Sequence, residues 1–283
     1  MKFFLNESST THDFEKPGQT ITEGIHEEQL SILQETAEYQ ELINESILAE
    51  AAITLNEESE EDDAKKGKMQ NVKKFFNAII EALIKAAKAV GSFVVNVIDK
   101  IISALTPRKQ FLKKNAGRIK AGFDSNDVDK SINNTLGAAY DLRAEFGRLL
   151  SLIGQETKDM KIETSLNAAR RKAAQTAEKK VNVSLGDVMN NADHAGKVVE
   201  GSKAASKEIA KAIKAAEKLA RQGLKESDAG KIAKLRARVS MMRSRSGLAR
   251  TANSELVKYA NQHMNQCMKV ARAAAAAGPR KTK

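Results

Sequence analysis

Tryptophan is absent from the sequence, cysteine occurs once, and there are only three prolines, Pro17, Pro107 and Pro279. The lone Cys267 excludes an intramolecular disulfide, and nothing points to an oxidising compartment. So few helix breakers, amid so much Ala, Lys, Glu and Leu, favour long helices over sheets. Aromatics make up 4% of the residues. Much of the apolar content is Ala, which buries little area per residue, so the expected core is a set of helix–helix seams. A chain of 283 residues is long enough for one large or two ordinary domains. Long uncharged apolar runs are also missing. None reaches the length of a bilayer span, and the apolar start Met1 to Leu5 gives way at Asn6-Glu7, far short of a signal-peptide core. A soluble, non-secreted chain is the expectation.

Charge is abundant but unevenly placed. Residues 1–63 carry 17 Asp+Glu against Lys2 and Lys16, a net of −15, whereas residues 64–283 hold 45 Lys+Arg and 19 Asp+Glu, a net of +26. The change is abrupt, with Glu57-Glu58-Ser59-Glu60-Glu61-Asp62-Asp63 followed at once by Ala64-Lys65-Lys66-Gly67-Lys68. A charged run is often just a solvated linker. Opposite charges on one chain attract over a Debye length of about 8–10 Å, so the acidic part is also suited to masking the basic part.

Apolar periodicity divides the chain further. Ile25, Leu30, Leu33, Ala37, Ile43 and Ile47 recur at helical spacing, which predicts an acidic helix over residues 24–54. Phe76, Ile80, Leu83, Ala87, Val90, Val94, Val97, Ile101 and Leu105 form an amphipathic stripe, predicting a helix from an Asn71 N-cap to Thr106, ended by Pro107. A short basic segment follows to Gly122. Asp124-Ser125-Asn126-Asp127 marks a new helix start, with apolar positions running through Ile132, Leu136, Tyr140, Leu142, Phe146, Leu149 and Leu150. A helix is expected over 156–180. Ser184 and Asp187 resemble a capping box opening an Ala/Lys-rich helix to about Arg221. The last helix runs from Asp228 to Ala277, unless Ser244-Arg245-Ser246-Gly247 turns it into a hairpin. The prediction is an all-α fold: long amphipathic helices forming an extended bundle, with a flexible acidic N-terminal leader. Four regions are expected: a leader over 1–50, a charged linker over 51–70, the apolar helix with its short basic companion over 71–122, and a basic helical bundle with a basic tail over 123–283.

The last helix has the sharpest pattern. Ile232, Leu235, Val239, Met242, Ser246, Ala249, Asn253, Leu256, Ala260, His263, Cys267 and Val270 alternate steps of three and four, a heptad-like seam. Arg236, Arg243 and Arg250 flank it on one side, and Lys231, Arg238 and Arg245 on the other. From residue 229 onward there are 13 Lys+Arg and one acid, Glu255. Two such helices would set like charge against like, so the expected partner is acidic: the leader, another protein, or the phosphates of double-stranded DNA bound without sequence preference. Base stacking is not expected where aromatics are so few. A solvated bundle face is the plainer reading of these charges.

Signals for chemistry are weak. His263 and Cys267 stand four apart beside Met264 and Met268, a pair of soft ligands without a third. His12, His26, His194 and His263 show no metal-site spacing. Gly230-Lys231-Ile232 lacks the spacing and the hydroxyl of a phosphate loop. No nucleophile–base arrangement is visible, so the expectation is a protein without catalysis, metal or cofactor. Lys73, Lys74, Lys85, Lys88 and Lys100 around the 71–106 stripe also fit a membrane-surface helix, although such stripes are more often core.

One tetrapeptide pattern recurs: Leu or Ile, any residue, Glu, then a small residue. It occurs at Ile21-Thr22-Glu23-Gly24, Ile43-Asn44-Glu45-Ser46 and Leu48-Ala49-Glu50-Ala51, and again at Ile79-Ile80-Glu81-Ala82 and Leu224-Lys225-Glu226-Ser227. It resembles the site cut by prohead proteases of large T-even-like tailed phages, and an acidic helical leader on a basic helical body resembles their internal head proteins. The order of acidic linker, Lys-rich turn, Phe75-Phe76-Asn77-Ala78-Ile79-Ile80 and Arg108-Lys109-Gln110-Phe111-Leu112-Lys113-Lys114-Asn115 is similar to virion structural proteins of jumbo phages. The likeness covers roughly residues 40–122. It implies a virion protein of the capsid interior, cut between Glu50 and Ala51 by a prohead protease. Other virion or scaffold proteins and packaged DNA would be its partners. A scaffold subunit acting only through protein contacts is the alternative, and a membrane-active role through helix 71–106 is a third.

Overall fold

In the computed structural model, which describes residues 66–125, 128–155 and 161–278, the chain is built almost wholly from helices. The order is α1 (Lys66–Phe93), a π-helical turn (Val94–Ile98), α2 (Asp99–Lys114), α3 (Ala116–Asp124), β1 (Ser131–Asn133), α4 (Thr135–Leu152), α5 (Lys161–Glu178), β2 (Lys180–Asn182), α6 (Leu185–Gly223) and α7 (Ala229–Ala277). The all-α bundle expected from composition and periodicity is what forms. The acidic helix over 24–54, the run 57–63 and the Glu50–Ala51 bond lie outside the described residues.

Local signals set several boundaries. At the start of α6, Asp187 N donates to Ser184 Oγ at 3.1 Å and Ser184 N to Asp187 Oδ2 at 2.8 Å, the reciprocal bonds of a capping box. At the start of α7, Asp228 Oδ1 accepts from Lys231 N at 2.8 Å. From there α7 continues for 49 residues, about 73 Å at 1.5 Å per residue. Ser244 to Gly247 do not break it: Ser246 Oγ donates back to Met242 O at 2.7 Å, and neighbours on both sides bury Arg245 and Ser246.

Tertiary packing overrides other local signals. Helix α1 begins at Lys66, ahead of Asn71, and Pro107 lies inside α2 instead of ending it. Proline removes one helical N–H. Thr106 and Pro107 face solvent, where water can satisfy the freed carbonyl, while buried Leu105 and Leu112 clamp the rod on either side. The π-turn re-phases the apolar stripe between these helices, so that Phe93, Val97, Ile98 and Ile101 stay buried. The helix expected to open at Asp124 and Ser125 does not begin there; Asn126 and Asp127 lie outside the described residues. Helix α3 ends at Asp124, Ile132 lies in β1, and Asn134 caps α4 by accepting from Gly137 N at 3.2 Å. The short antiparallel pair β1–β2, with Ile132 opposite Val181, was not foreseen, because three-residue strands show no alternation to read.

Helix α7 is the axis of the molecule. It packs most extensively on α6, and α3 and α4 occupy further faces. One apolar core joins Phe76, Leu83 and Ile101 to Leu142, Ile213, Val239 and Leu256. It therefore runs across the division drawn between residues 122 and 123. The stripe of helix 71–106 is part of this core, with Phe76, Leu83, Val97 and Ile101 at most 1% exposed. No helix among the described residues is long and apolar enough to cross a membrane. A second cluster, around Ile119, Phe123, Val188, Cys267 and Ala271, closes the far end.

Two glycines mark backbone contacts that tolerate no side chain. A Cβ on Gly122 of α3 would lie 2.0 Å from the Ala274 carbonyl oxygen of α7, and one on Gly223 would lie 2.2 Å from the Phe76 ring. By contrast, Gly91 sits in mid-helix with open space around it. Gly223→Ala should therefore cost about 2–3 kcal/mol of stability, and Gly91→Ala should add about 0.5–1 kcal/mol. Urea midpoints moving in opposite directions for the two variants are the expected result.

Candidate nucleic-acid interface

The six cations named on the last helix do not share one environment. Lys231 is exposed, and Arg236 and Arg238 are half-buried. Arg243, Arg245 and Arg250 retain only 7%, 5% and 4% exposure. These three are thus not presented to a polyanion, which corrects their assignment as DNA contacts. The heptad register identified the flanks of the seam but not how many helices surround it. Toward its middle, α7 is enclosed on several sides, so both flanking columns turn inward.

Arg245 and Arg236 find partners within the fold. Arg245 Nη1 donates to Leu152 O at 2.6 Å and to Gln155 O at 2.8 Å, satisfying carbonyls at the C-terminus of α4. A cation placed there also meets the negative end of the helix dipole. Arg236 lies over the Phe75 ring at 4.3 Å from its centroid, binding α7 to α1. Glu255, the one acid of α7, is gripped by Arg170 of α5, whose Nε donates to Oε1 at 2.9 Å and to Oε2 at 2.8 Å, with Nη2 also donating to Oε1. That hydrogen bonding outweighs desolvation and raises the Arg170 pKa above its ordinary value.

The seam also carries polar groups. Asn253 Nδ2 donates to Ser206 Oγ at 2.9 Å and to Ser202 O at 3.2 Å, fixing the register of α6 on α7. His263 Nδ1 lies 3.4 Å from Thr135 Oγ1. Burial pushes the His263 pKa down to about 4, against a smaller opposing contribution from the Asn133 backbone. The Cys267 thiol is pushed up to about 12, chiefly by burial and further by Asp187. At neutral pH the pair is an uncharged imidazole and an un-ionised thiol set in core packing, and such a thiol is a poor nucleophile and a poor metal ligand.

A long array of exposed cations lies on α6. Lys207, Lys211, Lys214, Lys218 and Arg221, continued by Lys225 beyond the helix end, step by four and three and are all exposed. The opposite face, with Ile209, Ile213, Ala216 and Ala220, is buried on α1 and α7. The helical part of the stripe, Lys207 to Arg221, covers 15 residues, about 21 Å. Lys211 pairs with Glu208 at 2.8 Å and Arg221 with Glu217 at 2.7 Å, whereas Lys207, Lys214, Lys218 and Lys225 form no ion pair among the described residues. Sequence reasoning passed over this stripe. Its signal was present, as Lys at steps of four and three opposite a row of Ile and Ala, but the more regular arginines of α7 drew the assignment.

The depressed His263 pKa has a definite sign. Between pH 6.5 and about 4 the unfolded chain takes up a proton that the folded chain refuses. Stability is full above this window and falls by about 1.4 kcal/mol per unit as pH drops through it. Between pH 7 and 5 the native protein should lose about 2 kcal/mol more than His263→Gln, as measured by urea unfolding at the two pH values. Comparison of the chain with protein-family models, with curated proteins and with solved structures returns no match.

Proposed function

We propose that this protein binds double-stranded DNA without sequence preference along the exposed face of α6, as a virion structural protein of the phage capsid interior made with a removable acidic leader. The observation that carries the binding reading is the stripe from Lys207 to Lys225, six exposed cations of which two are engaged by carboxylates among the described residues. DNA presents one phosphate charge per about 1.7 Å of axis, so a straight row of lysines meets several phosphates at once and releases their counterions. Lysine contacts phosphate as a point charge and reads no base edge, which suits a protein that coats DNA wherever it lies.

The capsid setting rests on the resemblance of residues 40–122 to phage virion proteins and on the recurring Leu/Ile-x-Glu-small pattern. Two of these matches fall on described residues. Glu81 lies inside α1, where helical hydrogen bonds protect the backbone from a protease that needs an extended strand. Glu226 lies in the turn between α6 and α7, its carboxylate accepting from Ser227 N and Asp228 N at 3.0 Å each. Cleavage after Glu50 leaves residues 51–283 with 45 Lys+Arg against 25 Asp+Glu, raising the net charge from +11 to +20. The leader thereby times the basicity of the body.

Two outcomes test this. Log affinity for duplex DNA should fall against log salt with a slope of about −5, and neutralising Lys207, Lys211, Lys214 and Lys218 to Gln should flatten it by about 3–4. Arg245→Ala should instead lower stability by about 2–3 kcal/mol and leave the slope unchanged. Affinity indifferent to salt would sink the DNA reading in favour of a scaffold working through protein contacts. Mass spectrometry of the protein from particles should find Ala51 as the N-terminus, and Met1 there would end the processing proposal.

A further inference from the structure

Helix α1 runs antiparallel to α6, since Phe76 faces Gly223 while Leu105, beyond the π-turn, faces Gly196. Helix α7 is also antiparallel to α6, as the short turn between them and the Asn253–Ser202/Ser206 bonds require. Helices α1 and α7 are therefore parallel, and Arg236 over Phe75 sets their register. Counting back nine residues from each member of that pair puts Lys66 level with the turn that leads into α7. Here, on the flank of α7 facing away from Phe75, lies an open pocket of ≈ 700 Å³. Lys231, Lys234 and Arg238 line it together with Gln222, Glu226, Leu235 and Met241. Lys231 and Lys234 are exposed.

The chain immediately before Lys66 is the most acidic stretch of the protein, six carboxylates in the seven residues 57–63. We propose that this run folds back across the turn between α6 and α7 and seats its carboxylates against Lys231, Lys234 and Arg238. Reach is sufficient for the outer part of the run. Only Ala64 and Lys65 separate Asp63 from Lys66, and the nine residues 57–65 span up to about 30 Å when extended, whereas passing from α1 over the end of α7 to its far flank takes about 20 Å. The tether holds the run at an effective concentration of order millimolar, so contacts that are individually weak and exposed accumulate. Glu226, the one carboxylate that lines the pocket among the described residues, accepts from the backbone N–H groups of Ser227 and Asp228.

The consequence for regulation rests on the DNA-binding reading; the docking itself does not. The run lies C-terminal to the Glu50–Ala51 bond, so the processed protein keeps it. It acts as an internal competitor beside the end of the α6 stripe. Removal of the leader and displacement of the run are then two separate steps, the second driven by a denser polyanion or by salt.

The test uses the full-length chain and a water-soluble carbodiimide, which activates a carboxylate so that a touching lysine amine displaces the urea and forms an amide. Cross-linked peptides from the monomer fraction should join residues 57–63 to Lys231 and Lys234, and should disappear at about 0.5 M salt, where screening is short-ranged. Sequence-local links to Lys65, Lys66 and Lys68 are set aside. Links spread evenly over Lys85, Lys88 and other distant lysines, or found only between chains, overturn the proposal. A variant with Glu57, Glu58, Glu60 and Glu61 changed to Gln and Asp62 and Asp63 to Asn should bind duplex DNA about tenfold more tightly at low salt; an unchanged affinity in a chain that does bind DNA overturns the competitor role. If the cross-links form but no DNA binds, the docking stands and the DNA reading falls; if DNA binds and the cross-links are missing, the reverse holds.

Discussion

A 49-residue helix bearing arginines on both sides of its seam is stable only if its neighbours take those cations in, and the whole arrangement follows from how they do so. Burying a guanidinium without partners is costly. Helix α4 therefore ends where Arg245 can reach its last carbonyls, and α1 offers the Phe75 ring to Arg236. The α5 side chain Arg170 neutralises Glu255. Each contact fixes the height of one surrounding helix along α7. Small residues do the rest, since Gly122 at Ala274 lets backbone meet backbone and Ala and Ser along α6 allow close approach.

Between α7, which turns Arg243, Arg245 and Arg250 inward, and α6, whose exposed cations are lysines apart from Arg221, the basic charge is divided by role. Arginine, planar and less strongly hydrated, can be enclosed while hydrogen-bonding carbonyls or stacking on a ring. Lysine stays solvated on the outer face of α6, with its charge available to a partner. The net charge of the chain thus overstates what an approaching polyanion meets, and its distribution among residue types is the more useful quantity.

What the sequence revealed was mostly what is local. Ser184 with Asp187 and Asp228 marked helix starts correctly, because a cap is a contact within three residues. Apolar periodicity placed the buried face of the 71–106 helix for the same reason. Pro107 misled, because a proline ends a helix only when packing does not hold both sides of it, and Leu105 and Leu112 do. Asp124 and Ser125 misled because such residues serve the end of a helix as well as its start, and here Ser125 follows the last turn of α3. The arginine columns misled most. A heptad pattern locates a seam but not the number of helices around it, and that number decides whether a flanking position is surface or interior. The lysine stripe of α6 needed the opposite fact, that nothing among the described residues covers it.

The segment from α1 through α3 touches α7 near both ends, by Phe75 on Arg236 and by Gly122 on Ala274. Together with α6, which runs back alongside, it makes a strut in which several helices share one long axis. Tension along that axis is carried in shear across parallel seams, where many contacts must slip together before any helix can separate. Survival under load is then governed by the rate of that concerted slip, not by the equilibrium stability of any one helix. The molecule resists stretching along its length far better than peeling from an end.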